Sequence, residues 1–141
     1  TMLGSMQAGL AFSNASLGCV HAMAHSLGGF KDLPHGECNA LLLPHVMDYN
    51  FTVAPERFRR IGEALGCDFR GLNDRECRAR LMNQVLELRR DCGIDQGLAA
   101  RGIHTSDLSR LASKAIEDPC NATNPRPPNQ DDLKALYAEA M

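Results

Sequence analysis

The stretch VHAMAHSLGGFKDLPHG, residues 20–36, carries three of the chain's five histidines and decides how the rest is read. His21 and His25 stand four residues apart, a spacing that puts both imidazoles on one face of a helix. The residues around them, Ala22, Ala24, Gly28 and Gly29, are small, so other groups can approach that helix closely. Gly28-Gly29 predicts its end, giving a helix from about Leu17 to Ser26. KDLPHGE then turns the chain, and Pro34 is placed to start the next helix at His35.

Helical patterns continue on both sides. Residues 2–13 form an amphipathic run, and SNASLG at 13–18 is a polar connection. HGECNALLLPHVMDYN contains Pro44, which predicts a kink or an end to its regular hydrogen bonding. APERFRRIGEALG is framed by Pro55 near the first helical position and Gly66 at the close. Asn73 and Asp74 cap a run to about Cys92, in which Cys77, Leu81, Val85 and Leu88 recur at spacings of three and four. GIHTSDLSRLASKAIED offers Thr105 or Ser106 as a cap and sets Leu108, Leu111, Ala112 and Ala115 on one face, closed by Pro119. CNATNPRPPNQDD is the linker-like segment, and Asn129 caps a last helix through Tyr137. There is no repeat and no strand-like alternation beyond a few residues. The expectation is all-α: a bundle-like domain of several helices over residues 1–141, with short loops and mostly antiparallel neighbours.

Composition agrees. Of 141 residues 44% are hydrophobic but only 5% aromatic, with no Trp, which suits a core of Leu, Ala, Met and Val between helices. A net charge of −2 with the two signs interspersed gives no reason to invoke nucleic acid or an anionic membrane. The longest apolar runs, such as ALLLP at 40–44, are far too short to span a bilayer. Six cysteines make an even count. They are scattered through helical patterns, form no CxxC pair and follow no signal peptide, so free thiols in a reducing cytoplasm are expected. The chain opens on TMLGSMQAGLAF, already amphipathic, as if entered in mid-structure.

Imidazole nitrogen ligates zinc, iron, copper and nickel, and three histidines with a water resemble a catalytic zinc site. The zinc-protease pattern places Glu directly after the first histidine, where this chain has Ala22. Asp32 precedes a proline turn, and Glu37 falls in a first helical turn, where it offsets the helix dipole. His45 and His104 have no partner at ligand spacing. Spacing alone therefore supports a metal site and ordinary core or surface histidines about equally.

AGLAFSNASLGCVHAMAHSLGGFKDLPHGECNALLLPHVMDYN, residues 8–50, closely resembles the signature region of the iron-containing (group III) alcohol dehydrogenases. DPCNATNPRPPNQDDLKALYAEAM resembles the C-terminal end of that family, including its Cys-x-x-x-Asn-Pro-Arg run. The resemblance implies the helical C-terminal domain of a two-domain, dehydroquinate synthase-like enzyme. The partner half would be an N-terminal domain that binds NAD(P) through a Gly-Gly-Gly-Ser turn and lends an Asp and a His to the metal. His21 and His35 resemble the metal ligands of the helical half, with Fe²⁺, Zn²⁺ or another divalent ion as cofactor. His25 resembles a histidine beside the substrate and nicotinamide, and Phe12 and Cys120 resemble residues lining the substrate channel. Neither Gly-Gly-Gly-Ser nor a strand–turn–helix cofactor motif occurs here. The implied activity is hydride transfer between a small alcohol or aldehyde and NAD(P), absent from the fragment alone, which would expose an apolar face open to homo-oligomerisation. Two other classes stand beside it: a self-sufficient three-histidine hydrolase using His21, His25 and His35, and a non-catalytic helical assembly module.

Overall fold

The computed structural model describes residues 1–141 and contains helices only. Seven α-helices follow one another: α1 Met2–Ala15, α2 Cys19–Lys31, α3 His35–Phe51, α4 Pro55–Ala64, α5 Asp74–Asp91, α6 Leu108–Ile116 and α7 Gln130–Glu139. Short 3₁₀ turns at Leu98–Arg101, Thr105–Asp107 and Pro119–Thr123 lie in the connections. No helix is long and apolar enough to cross a membrane. All six cysteines are free thiols.

The caps legible in the sequence frame α5 and α7. Glu76 N–H donates to Asn73 Oδ1 at 3.0 Å while Asn73 N–H donates to Glu76 Oε2 at 2.9 Å. Asn129 and Asp132 repeat that exchange at 2.8 and 3.0 Å. Each reciprocal pair satisfies two amides that a helix start leaves without partners.

Three expectations need correction. The helix bearing His21 and His25 does not stop at Gly28-Gly29. It runs on to Lys31 and ends on Asp32, which takes the left-handed conformation (φ 53°) usual for a C-terminal cap. Gly28 serves packing instead, because a Cβ there would sit 3.3 Å from the Leu33 carbonyl oxygen. Pro44 sits inside α3 without ending the helix, and its missing N–H leaves the expected gap in the regular hydrogen bonding. Burial of Leu41, Leu42, Val46 and Met47 around it offsets the lost backbone bond, about 3 kcal/mol. Neither Thr105 nor Ser106 caps α6; both belong to the 3₁₀ turn before it, where the Asp107 carboxylate accepts the His104 N–H at 2.9 Å. Leu88 is half-exposed, since no side chain of α5 beyond Val85 is buried.

Two cores organise the packing. The larger joins α2, α3, α6 and α7 through Met23, Leu27, Leu41, Leu111, Leu133 and Tyr137, all at most 1% exposed. Each such side chain contributes about 1.5–3 kcal/mol by burial. Polar bonds fix the register: Tyr137 Oη donates to the Met23 carbonyl at 2.7 Å, and Ser26 Oγ to the Leu111 carbonyl at 2.9 Å. The smaller core, Met47, Phe51, Phe58, Phe69, Cys77, Leu81 and Val85, joins α3, α4 and α5. An Arg78–Asp48 ion pair bridges α5 and α3 at its edge.

Within the smaller core Gly62 is a contact point, since a Cβ there would lie 2.3 Å from Phe69 Cζ. Gly62→Ala is expected to lower stability by about 1–2 kcal/mol in urea unfolding, because overpacking outweighs the helix-propensity gain of alanine. An unchanged or raised midpoint would show that Phe69 yields freely.

Candidate metal centre

The site forms where the start of α2 meets the start of α3. Gly18 precedes α2 in an extended conformation, and the Cys19 N–H donates to Asn124 Oδ1 at 3.1 Å. A Cβ on Gly18 would lie 2.8 Å from that same oxygen, so only glycine lets the segment reach Asn124. This bond ties the first turn of α2 to the end of the Pro119–Thr123 turn. His21 lies in that first turn, His25 one turn on, and His35 is the first residue of α3.

The three imidazoles gather. His35 Nε2 lies 3.2 Å from His21 Nδ1. The His25 ring stacks on that of His35, with centroids 5.1 Å apart and planes 18° from parallel. One nitrogen from each ring lies within 4.8 Å of the other two. Burial lowers the pKa of His21, as does the charge repulsion of His35 and His25, against an opposing pull from Asp118. A neutral imidazole with a free lone pair follows, the form a metal ion binds. Asn39, one turn along α3, places its Nδ2 2.9 Å from His35 Nε2. Its Oδ1 is buried without a partner.

These donors fit a divalent ion. Two imidazole nitrogens 3.2 Å apart stand at the separation of two nitrogen ligands about 2.1 Å from one tetrahedral ion. The partnerless Asn39 oxygen beside them is a further sign of a site short of contacts. The set is also open, because two neutral imidazoles leave most of a divalent charge uncompensated.

Asp118 is the group the sequence reading missed. Its Oδ2 lies 2.8 Å from His25 Nδ1, and its Oδ1 accepts the Cys120 N–H at 2.8 Å. Burial alone would raise the carboxyl pKa, but the donors from Cys120 and His25 outweigh it and hold the group below the usual carboxylate range. Asp-Pro is legible as the start of a short turn. Nothing local signals a contact with a histidine 93 residues away.

Of the other expected site residues, Cys120 joins this group, its sulfur within 4.8 Å of both Asp118 and a His25 nitrogen. Burial and the neighbouring Asp118 push its thiol up to about 11, so it is a protonated lining group rather than a thiolate nucleophile. Phe12 stands on α1, 50% exposed, and the structure does not bring it into the histidine cluster. His45 sits 3.8 Å from the Glu139 carboxylate, and His104 belongs to the turn before α6; neither joins the cluster. An open cleft of about 600 Å³ leads away from His25 between α2 and α6, with Ser26, Phe30, Arg110 and Lys114 among its walls.

The chain is thus a purely helical unit in which three imidazoles gather closely enough to hold a metal ion. Comparison with known proteins gives the family. The model described as "Fe-containing alcohol dehydrogenase family, C-terminal" matches residues 1–141, and the chain belongs to that family. It is 41% identical over 137 residues to 1,3-propanediol dehydrogenase of Klebsiella pneumoniae, covering 97% of this chain and 35% of that protein. It is 42% identical over 138 residues to lactaldehyde reductase of Escherichia coli, covering 98% and 36%. Among solved structures, an alcohol dehydrogenase from Oenococcus oeni superimposes with a TM-score of 0.92 at 39% identity, over 96% of this chain and 36% of that one. The chain thus spans about a third of the length of the relatives it matches. The expected family and the all-helical fold both hold.

Proposed function

We propose that this chain is the metal-binding C-terminal domain of a two-domain alcohol dehydrogenase that moves hydride between a small alcohol or aldehyde and NAD(P). The observation that carries this reading is the 3.2 Å approach of His35 Nε2 to His21 Nδ1 in a chain of this family. An N-terminal nucleotide-binding domain would complete the coordination and hold the cofactor. A relative named NAD-dependent methanol dehydrogenase, from Bacillus methanolicus, is 36% identical over 134 residues, which supports a nicotinamide partner.

His21 and His35 would hold the divalent ion, iron or zinc, which supplies Lewis acidity to the substrate oxygen. The remaining work falls to side chains. His25, 44% exposed and stacked beside the pair, takes up or returns the hydroxyl proton. Cys120 and Phe12 line the substrate path, one as a small protonated thiol and the other as an apolar wall. The apolar flank of α1 receives the nucleotide-binding domain, and a copy of this chain without that domain is open to self-association.

The test is a chimera in which this chain replaces the matching C-terminal third of the Klebsiella 1,3-propanediol dehydrogenase. Reconstituted anaerobically with Fe²⁺, the chimera is expected to reduce NAD with a small alcohol, its His21→Ala form to be inactive, and this chain alone to show no turnover. Turnover by the chain alone, or a folded chimera that binds metal and NAD without turnover, would overturn the reading.

A further inference from the structure

The Asp118 carboxylate divides its two oxygens between two tasks. Oδ1 caps the Pro119–Thr123 turn through the Cys120 N–H at 2.8 Å. Pro119 has no amide hydrogen to compete, so the cap falls on Cys120. The turn is itself locked, because Asn121 Nδ2 donates to the Ala115 carbonyl at 2.7 Å and to the Asp118 carbonyl at 3.0 Å. Oδ2 is thereby held at a fixed place, 2.8 Å from His25 Nδ1. The carboxylate is 17% exposed against 44% for the imidazole, so the less exposed, anchored partner is the one that orients the other.

An ionised carboxylate only accepts hydrogen bonds. The ring nitrogen facing it must therefore carry the hydrogen, and in a neutral imidazole the lone pair is then left on Nε2. Free histidine in water favours the opposite arrangement. The second constraint on the ring is the His35 stack, which fixes its plane. From these contacts we propose that Asp118 is a positioning residue for His25: it sets the ring's orientation and holds it as the Nδ1–H tautomer, so that Nε2 is the acceptor offered to a substrate hydroxyl.

In use, the substrate O–H bond breaks, its electron pair stays on the oxygen, and the proton forms a new N–H bond at His25 Nε2. Asp118, paired with Nδ1–H throughout, stabilises the imidazolium that results. This step rests on the dehydrogenase reading for its substrate; the tautomer does not.

The experiment is two-bond ¹⁵N–¹H correlation NMR of the histidine rings in this chain, free of metal and at a pH where imidazoles are neutral. His25 is expected in the Nδ1–H form by at least about tenfold over Nε2–H, the bias of one hydrogen bond to a charged acceptor. Asp118→Asn, whose amide presents both a donor and an acceptor, is expected to lose most of that bias while His21 and His35 keep their pattern. A wild-type His25 in the Nε2–H form overturns the proposal and needs no variant to do so. A folded Asp118→Asn protein with an unchanged His25 tautomer overturns it equally. Either result leaves the dehydrogenase reading to the chimera, so the two failures are distinguishable.

Discussion

Replacing His35 with alanine is expected to weaken divalent-metal binding by this chain more than about a hundredfold, exceeding the loss typical of an outer-shell partner. His35 Nε2 lies 3.2 Å from His21 Nδ1, so its removal leaves a single imidazole of that pair and no chelate. Anaerobic titration with Fe²⁺, and in air with Zn²⁺, measures the change. His25→Ala is expected to leave affinity within about threefold, since the His25 ring is engaged by Asp118 at 2.8 Å and acts beside the ion. The wild-type chain itself should bind weakly, as a half-site holding two neutral ligands. Tight one-to-one binding that requires all three histidines would favour the self-contained three-histidine site, with Asp118 as the carboxylate behind one ligand. The 4.8 Å cluster of three ring nitrogens is what gives that outcome its weight.

The second large effect lies away from the imidazoles. Asn124→Ala is expected to cost about 3–5 kcal/mol of stability, because several buried polar groups lose partners together. Asn124 is 6% exposed. Its Oδ1 accepts from the Cys19 N–H at 3.1 Å and from Asn50 Nδ2 at 3.1 Å. Its Nδ2 donates to Asn50 Oδ1 at 2.8 Å and to the Arg126 carbonyl at 2.6 Å. Truncation orphans the first amide of α2, which carries His21 and His25, together with the Asn50 amide group. Urea unfolding followed by circular dichroism gives the number. A loss below about 1 kcal/mol would mean that water replaces these bonds without penalty.

The helical frame was legible because its signals are local. Asn73 and Asn129 as caps and Pro55 at a first turn each act within a few residues, and the structure bears out all three, adding Glu76 and Asp132 as the reciprocal partners of the two caps. The misread places depend on distant groups. Gly28-Gly29 resembles a terminator until the Leu33 carbonyl is seen against Gly28. CNATNPRPPNQDD has a linker's composition, yet Asn124 within it is buried and anchors the start of α2 through a bond to Cys19. The approach of His21 to His35 was half legible, since helix periodicity pairs His21 with His25 but not with the next helix. Asp118 was beyond reach, as its partner lies on another helix.

α1 differs from every other helix. It has no Asp, Glu, Lys or Arg, buries no residue, and leaves Met2, Leu3, Met6, Leu10 and Phe12 at least half exposed. A Cβ on either of its interior glycines, Gly4 or Gly9, would meet nothing within 4 Å, and each glycine costs about 1 kcal/mol relative to alanine. A helix this short, with no buried residue, is marginal in water. Its amide hydrogens should therefore exchange with solvent far faster than those of α2 or α7 until a surface covers it. Covering it would then be a coupled ordering event, with lost chain entropy subtracted from the strength of association.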